Sequence, residues 1–391
     1  MGKVVSVLKK NTMVIALVVV VVFFTLATGG KMILPQNISN LIHQNAYVFV
    51  LATGMLLCIL TGGNIDLSVG CVVCISGAVG GSLMVQQGVS PALAIPVMLL
   101  TGIAIGIWQG FWIAYVRIPP FIVTLAGMLI WRGLSNVILQ GLTLAPFPDS
   151  YLAMFNNFIP DVFTNINLVY KGDRLNITCL VIGFIVCFAY IIIQLRSRIS
   201  KAKKGYEIDK TSAMVAKMII ICAVVLFLAF QLSRYKGIQC MLLWIVGVLL
   251  VYTYITRKTV IGRHLYAVGG NEKATKLSGI NTNRIYFFAY LNMAFLAAVA
   301  GMITAARLNS ANPTAGVNYE MDAIGACFIG GASAYGGTGS TGGVVVGALL
   351  MGVINQGMII MGVNANWQKV VKGGVLLLAV IFDVLSKKKD K

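Results

Sequence analysis

The chain has 391 residues, 58% hydrophobic and 10% charged, and carries a formal net charge of +19. Soluble globular domains carry about 25% charged residues, so this composition excludes a string of soluble domains and leaves a membrane protein. The excess charge does not indicate a nucleic-acid partner, because no soluble basic module interleaved with aromatic residues accompanies it.

Twelve apolar segments follow one another: 13–30, 45–62, 67–86, 92–115, 121–140, 176–195, 214–232, 238–256, 284–305, 321–336, 343–362 and 366–385. A helix of about 20 such residues rises about 30 Å and crosses the hydrocarbon layer. Only helices and closed barrels satisfy their backbone in lipid, and these runs are too long and continuous for barrel strands. The expected fold is an all-α polytopic membrane protein, one transmembrane domain over 1–391. It should have about 10–12 transmembrane helices, the lower figure holding where 67–86 and 321–336 are re-entrant half-helices. Lys3, Lys9 and Lys10 precede the first run, which lacks a small-x-small cleavage pattern, so it reads as an uncleaved first span.

Charge orients these segments. Nineteen of the 30 Lys/Arg lie in 1–10, 196–213, 257–284 and 386–391, which the positive-inside rule places in the cytoplasm. Counting spans from a cytoplasmic N-terminus gives the same answer and makes the C-terminus cytoplasmic too. The loops 31–44, 141–175, 232–237 and 306–320 then fall outside. The stretch 141–175, with Pro146, Pro148, Asp149, Pro160, Asp161 and Asp173, is the longest of them. It reads either as a solvated connector or as a docking surface for a delivery protein.

Several stretches break the apolar pattern. Thr61–Gly70 (TGGNIDLSVG) places Asn64 and Asp66 just before a helix, where a carboxylate can cap amides or line a broken helix. Gly102, Gly106 and Gly110 share one helix face and predict close helix packing; a second copy of the chain is one candidate partner. The eight Cys lie in or at the edge of apolar runs and read as packing residues. Gly337-Thr-Gly-Ser-Thr-Gly342 matches a dinucleotide fingerprint in spacing only, since a membrane helix follows and no acidic residue stands about 20 positions on. It reads as a tight turn. Asn355 and Gln356 interrupt the segment after it. Asp322 and Cys327 repeat the spacing of Asp66 and Cys71, and Ala300-Gly-Met302 with Arg307 echoes Ala126-Gly-Met128 with Arg132, as two structural repeats would. No carboxylate pair or Ser-His-Asp set emerges, so an enzyme is not expected.

The basic island Arg257–Arg284 contains Glu272-Lys-Ala-Thr-Lys-Leu-Ser-Gly279. Ala274 and Leu277 can share one face of a short helix, Lys273 and Lys276 flank it, and Gly279 can end it in the left-handed conformation. Such a helix suits a groove on a soluble cytoplasmic partner.

Together these stretches resemble the permease subunits of bacterial ABC sugar importers of the ribose, galactose and xylose branch. The resemblance rests on GGNIDLSVG (62–70), PPFIVTLAGMLIWRGL (119–134), GRHLYAVGGNEKATKLSGIN (262–281), 321–358 and WQKVVKGGVLLLAVIFDV (367–384). The added material over 176–256 is similar to the longer xylose or multiple-monosaccharide type. The resemblance implies a type II importer fold in the bacterial inner membrane and a second permease copy. It also implies a separate ATPase that uses the ATP, leaving no cofactor in this chain, and an extracytoplasmic sugar-binding protein. Glu272, Ala274, Leu277 and Gly279 then correspond to the segment that couples to the ATPase, although Lys273 stands where a small or acidic residue is usual. Asn64, Asp66, Asn355 and Gln356 are expected to shape the sugar's path. Relatives handling nucleosides, autoinducer-like sugars or branched-chain amino acids, and an ion-coupled secondary carrier using Asp66 or Asp322, are the alternatives.

Overall fold

The computed structural model describes residues 12–166, 168–170, 172–206 and 211–388. Its helices in chain order are α1 (Thr12–Ala27), α2 (Pro35–Leu60), α3 (Val69–Gly81), α4 (Pro91–Ala114), α5 (Pro120–Leu139), α6 (Asp149–Phe155), α7 (Ile177–Lys203) and α8 (Thr211–Ser233). There follow α9 (Cys240–Lys258), α10 (Val260–Gly270), α11 (Glu272–Leu277), α12 (Thr282–Leu308), α13 (Tyr319–Ile329), α14 (Thr341–Ile360) and α15 (Ala365–Lys388). One antiparallel pair of two-residue strands, Val169–Tyr170 and Asp173–Arg174, turns between α6 and α7. Each of the twelve apolar segments coincides with one of these helices. Pro91 and Pro120 start α4 and α5, where the missing amide hydrogen has no helical partner to lose.

Among the described residues, nine helices are long and apolar enough to cross a membrane. One of them is α3 continued by a wide turn over Ser82–Gln86, 18 residues in all. By contrast, α13 has 11 residues and rises only about 16 Å at 1.5 Å per residue. What sequence alone drew to 336 ends at Ile329, because the glycine-rich run after it folds as a turn.

The chain forms two compact units. One comprises the described residues up to Met32, Leu41–Asn157 and the residues from Met241 on; the other comprises Ile33–Asn40 and Phe158–Cys240. In the first unit, α2, α3, α12 and α14 carry the core, with Leu51, Met55, Leu56, Met293, Leu296 and Met351 almost wholly buried. The order long helix, loop, short helix and two helices occurs twice, as α2 to α5 and as α12 to α15. Asp66 and Asp322 fall at similar places in this order, in the loop just before α3 and in the first turn of α13. The second echo does not fit: Arg132 lies in the fourth helix of the first set and Arg307 in the first helix of the second.

The glycine stripe of α4 faces α12 of the same chain. A Cβ on Gly102 would stand 2.5 Å from the Ala298 Cβ, and one on Gly106 would stand 2.8 Å from the Leu291 Cα. Close backbone approach of this kind is how membrane helices gain packing without a hydrophobic driving force. Only part of the 141–175 stretch is a connector. Tyr151 and Phe155 of α6 are fully buried, and the Tyr151 hydroxyl donates to the Met302 carbonyl at 2.9 Å.

In the second unit, α7 and α8 form an apolar hairpin. A Cβ on Gly183 would lie 2.6 Å from the Ala229 Cβ, so the two helices pack closely there. The start of α7 is capped twice: Asn176 Oδ1 accepts from the Cys179 amide at 3.0 Å, and Asp161 accepts from the Ile177 and Thr178 amides. The basic stretch 196–213 is largely helical, since α7 runs through Lys203 and α8 begins at Thr211.

Candidate functional site

The island 257–284 is built from three capped helices. Thr259 Oγ1 accepts from the Gly262 amide and starts α10; Asn271 Oδ1 accepts from the Ala274 amide and starts α11; Asn281 Oδ1 accepts from the Arg284 amide and starts α12. Each cap supplies a partner for an amide that the first helical turn leaves open. Gly279 adopts φ +83° and its amide bonds the Lys276 carbonyl at 3.0 Å, so α11 ends where the sequence predicts.

The faces of α11 divide by chemistry. Thr275 points inward, and its hydroxyl donates to the Asn271 carbonyl. Ala274 is exposed, and Leu277 is 90% exposed. An aliphatic side chain held out so fully on an ordered, capped helix is unusual among otherwise charged surroundings, since Lys273 and Lys276 flank it. Glu272 does not share this outward face. Its Oε1 accepts from Arg117 Nη1 at 2.7 Å and Thr282 Oγ1 at 3.1 Å, and its Oε2 accepts from the Tyr286 hydroxyl at 3.0 Å. Partial burial pushes its pKa up, but the hydrogen bonds and charge of Arg117 and the bond from Tyr286 outweigh that and hold it below the usual glutamate value. Of the four residues singled out in this segment, Glu272 is therefore a brace within the chain. Ala274 and Leu277 are the free surface, and Gly279 ends the helix.

The four polar residues of the apolar region fall into two separate clusters. Asp66 is 1% exposed. Its Oδ1 accepts from the Ser68 amide at 2.8 Å and the Ser68 hydroxyl at 2.6 Å, and Ser68 Oγ in turn accepts from Gln109 Nε2 of α4 at 2.5 Å. Asp66 Oδ2, Gln109 Oε1 and Trp131 Nε1 are buried without a hydrogen-bond partner among the described residues. Asn64 is half-buried and turns back toward Thr61. The second cluster lies on α14, where Asn355 Nδ2 donates to Asn45 Oδ1 of α2 at 3.2 Å, and Asn355 Oδ1 and Gln356 Oε1 are also unpartnered. No hydrogen bond joins the two clusters among the described residues.

The sequence missed Gln109, Ser68 and Asn45. Gln109 interrupts an apolar run, which is itself a signal, but the glycines around it dominated that stretch. Asp322 is a different kind of site. It is buried, accepts from the Tyr47 hydroxyl at 2.5 Å and pairs with Lys372 at 3.0 Å. Tyr47 stacks on Tyr319 with ring centroids 3.5 Å apart. The two opposite charges stand in separate apolar segments of the sequence, and pairing them was the available clue.

The glycine-rich run after α13 is a turn, as expected. Gly336, Gly337 and Gly339 have positive φ, and the Gly337 amide donates to the Leu60 carbonyl at the end of α2. Gly269 of α10 packs so tightly there that a Cβ on it would fall 1.8 Å from the Leu60 oxygen. The end of α2, the turn before α14 and the helix α10 thus meet at one end of the unit. Elsewhere in the unit, the start of α3 meets the loop before α13: a Cβ on Gly70 would stand 2.1 Å from the Gly316 carbonyl oxygen.

A family model described as "Branched-chain amino acid transport system / permease component" matches residues 37–380. The chain belongs to this permease family. It is 37% identical over 377 residues to the Haemophilus influenzae "Xylose transport system permease protein XylH", covering 96% of each chain. It is 35% identical to the Escherichia coli protein of that name, over 97% of this chain and 92% of the other. The Escherichia coli "Ribose import permease protein RbsC" is 33% identical over 96% of this chain and 94% of its own. No solved structure matches the chain. The resemblance drawn from the motifs therefore holds along nearly the full length.

Proposed function

We propose that the chain is the membrane subunit of an ATP-binding-cassette importer that passes a pentose or hexose into the bacterial cytoplasm. The sugar arrives on an extracytoplasmic binding protein. A separate ATPase subunit uses the ATP, and this chain performs no chemistry on the sugar. The observation that carries the reading is α11: a capped helix presenting Leu277 and Ala274 outward, in a chain related along its length to xylose and ribose permeases. An exposed apolar anchor ringed by lysines suits a groove on a partner protein, in the helix-in-groove manner. The family description names branched-chain amino acids. The full-length relatives favour sugars.

The proposed orientation places both termini and the segments 196–213 and 257–284 in the cytoplasm and 141–175 outside, in the plasma membrane. The packing of the first unit supports it, because α10, the end of α2 and the turn before α14 lie together at the end that bears the basic island. On this arrangement α3 and α13 each complete a crossing that begins as a loop, 61–68 for one and 309–318 for the other. Broken helices of this type place polar groups at the centre of a transporter. Asn64, Asp66, Asn355 and Gln356 would shape that path, with weak contacts suited to a solute that must leave. In a type II arrangement two copies of the chain would flank the path, with lipid against the outer helices.

The test is a pull-down of the tagged chain from its host in mild detergent, for wild type and Leu277→Asp. The expected result is a double-cassette ATPase with the wild type and its loss with the variant, while both chains elute as the same folded species. A wild-type chain that captures no ATPase contradicts the reading.

A further inference from the structure

We infer that the α4–α5 hairpin is the element that carries motion from the coupling segment to both broken crossings, and that Arg117 at its tip is the positioning residue that engages it. This rests on the proposed importer function. Arg117 connects α4 to α5 with φ +66°, a conformation that a non-glycine residue holds only when its surroundings fix it. Those surroundings are the coupling segment and the start of α12. Nη1 donates to Glu272 at 2.7 Å, and Nη2 donates to Thr282 Oγ1 at 2.9 Å and to Asn283 Oδ1. The guanidinium also stands 5.1 Å over the Tyr286 ring.

From this tip the hairpin reaches each loop in turn. On α4, Gln109 donates to Ser68 at 2.5 Å, and Ser68 holds Asp66 in the loop before α3. On α5, Arg132 Nη1 donates to the Pro313 and Ala315 carbonyls, each at 2.8 Å, in the loop before α13. Just past α5, Leu144 exchanges both backbone bonds with Ala311 of the same loop, each at 2.9 Å. The glycine stripe fixes α4 to α12 along its length, so α4 moves with the helix that leaves the coupling segment, and the tip at Arg117 passes that displacement to α5. The two helices thus share a charged tip on the proposed ATPase side, α4 packing on α12 and α5 on α3, and each reaches one of the loops through polar contacts. Packed helices with a few discrete contacts are suited to passing such a displacement.

The test uses the purified complex of permease, ATPase and binding protein in liposomes, with radiolabelled xylose and ribose as probes. It measures ATP hydrolysis and sugar imported per ATP for wild type, Arg117→Gly, Gln109→Met and the double variant. Glycine suits the left-handed backbone, so Arg117→Gly removes the side chain and keeps the turn. The expected result is a complex that assembles and hydrolyses ATP, with import per ATP down about tenfold in each single variant, a size typical of coupling between sites. The double variant should lose no more than either single one, because both act along one route. Unchanged import per ATP in Arg117→Gly overturns the inference, and so does loss of ATPase binding, which would make Arg117 part of the docking surface. A wild-type complex that fails to import sugar would sink the importer reading itself, so the two failures are distinguishable.

Discussion

The central helices and the α7–α8 hairpin are built on opposite terms. In α2, 83% of the spanning window is buried inside the protein, and in α8 only 6% is. Yet α8 is the more apolar of the two. In water this order would be reversed. In lipid, the surface must be apolar because nothing there can hydrogen-bond, whereas the interior can house Asp66, Ser68, Gln109, Asn355 and Asp322 once they find partners. The helices that a hydropathy scan marks most strongly are therefore the ones that face lipid. The candidate pathway residues lie instead in or beside largely buried helices interrupted by polar residues, such as α2 and α14.

The comparison can be broken most severely at the buried ion pair. Lys372→Ala leaves Asp322 buried with only Tyr47 as partner, and should cost about 3–5 kcal/mol. Thermal unfolding in detergent would show it as a lower midpoint. Asp322→Asn combined with Lys372→Met should recover much of that loss, and no recovery would mean that the pair serves more than charge balance. Next in size is Gly106→Leu, which forces side-chain atoms into the backbone of α12 at Leu291. Overpacking of this kind costs about 1–3 kcal/mol, again read from the melting midpoint. An unchanged midpoint would mean that α4 and α12 separate easily, against the rigid unit described above.

A smaller effect is expected in the second unit at Asp161, whose replacement by Ala removes the acceptor for the Ile177 and Thr178 amides. About 1 kcal/mol is the usual value for a lost cap. Burial pushes the pKa of Asp161 up, but hydrogen bonds from Thr178, Ile177 and Phe163 together bring it below the ordinary aspartate value. Its contribution is therefore present above the unfolded value, near 3.8, and is lost as pH falls through the lowered folded value. Hydrogen exchange at the start of α7 should rise in that acid window in the wild type and show no such step in Asp161→Ala. The smallest effect belongs to the lipid-facing side. Ile220→Val on α8 should change stability by less than about 0.5 kcal/mol, the usual limit for substitutions that leave packing intact.

These contrasts also mark what the sequence could reveal. All twelve apolar segments were legible because a 20-residue apolar run has few other uses. The end of α11 was legible too, through Gly279 behind it, while its cap at Asn271 went unread. The length of α13 was not, because the alanines and glycines after Ile329 look as apolar as a span while folding as a turn. Nor was the role of Glu272. Its neighbours in the chain suggest an outward charge, but its partners Arg117 and Tyr286 come from separate elements, and no local pattern brings them together. Gln109 and Ser68 were hidden for the same reason: they are 41 positions apart, and only the fold makes them one network.

The most direct test of the account is sugar uptake into liposomes bearing the chain, its copurified ATPase and the extracytoplasmic binding protein, with ATP enclosed at the ATPase face. The account predicts uptake of radiolabelled xylose or ribose that requires both ATP and the binding protein and is indifferent to proton and sodium gradients. Uptake by the chain alone, driven by an ion gradient and abolished by Asp66→Asn, would contradict it.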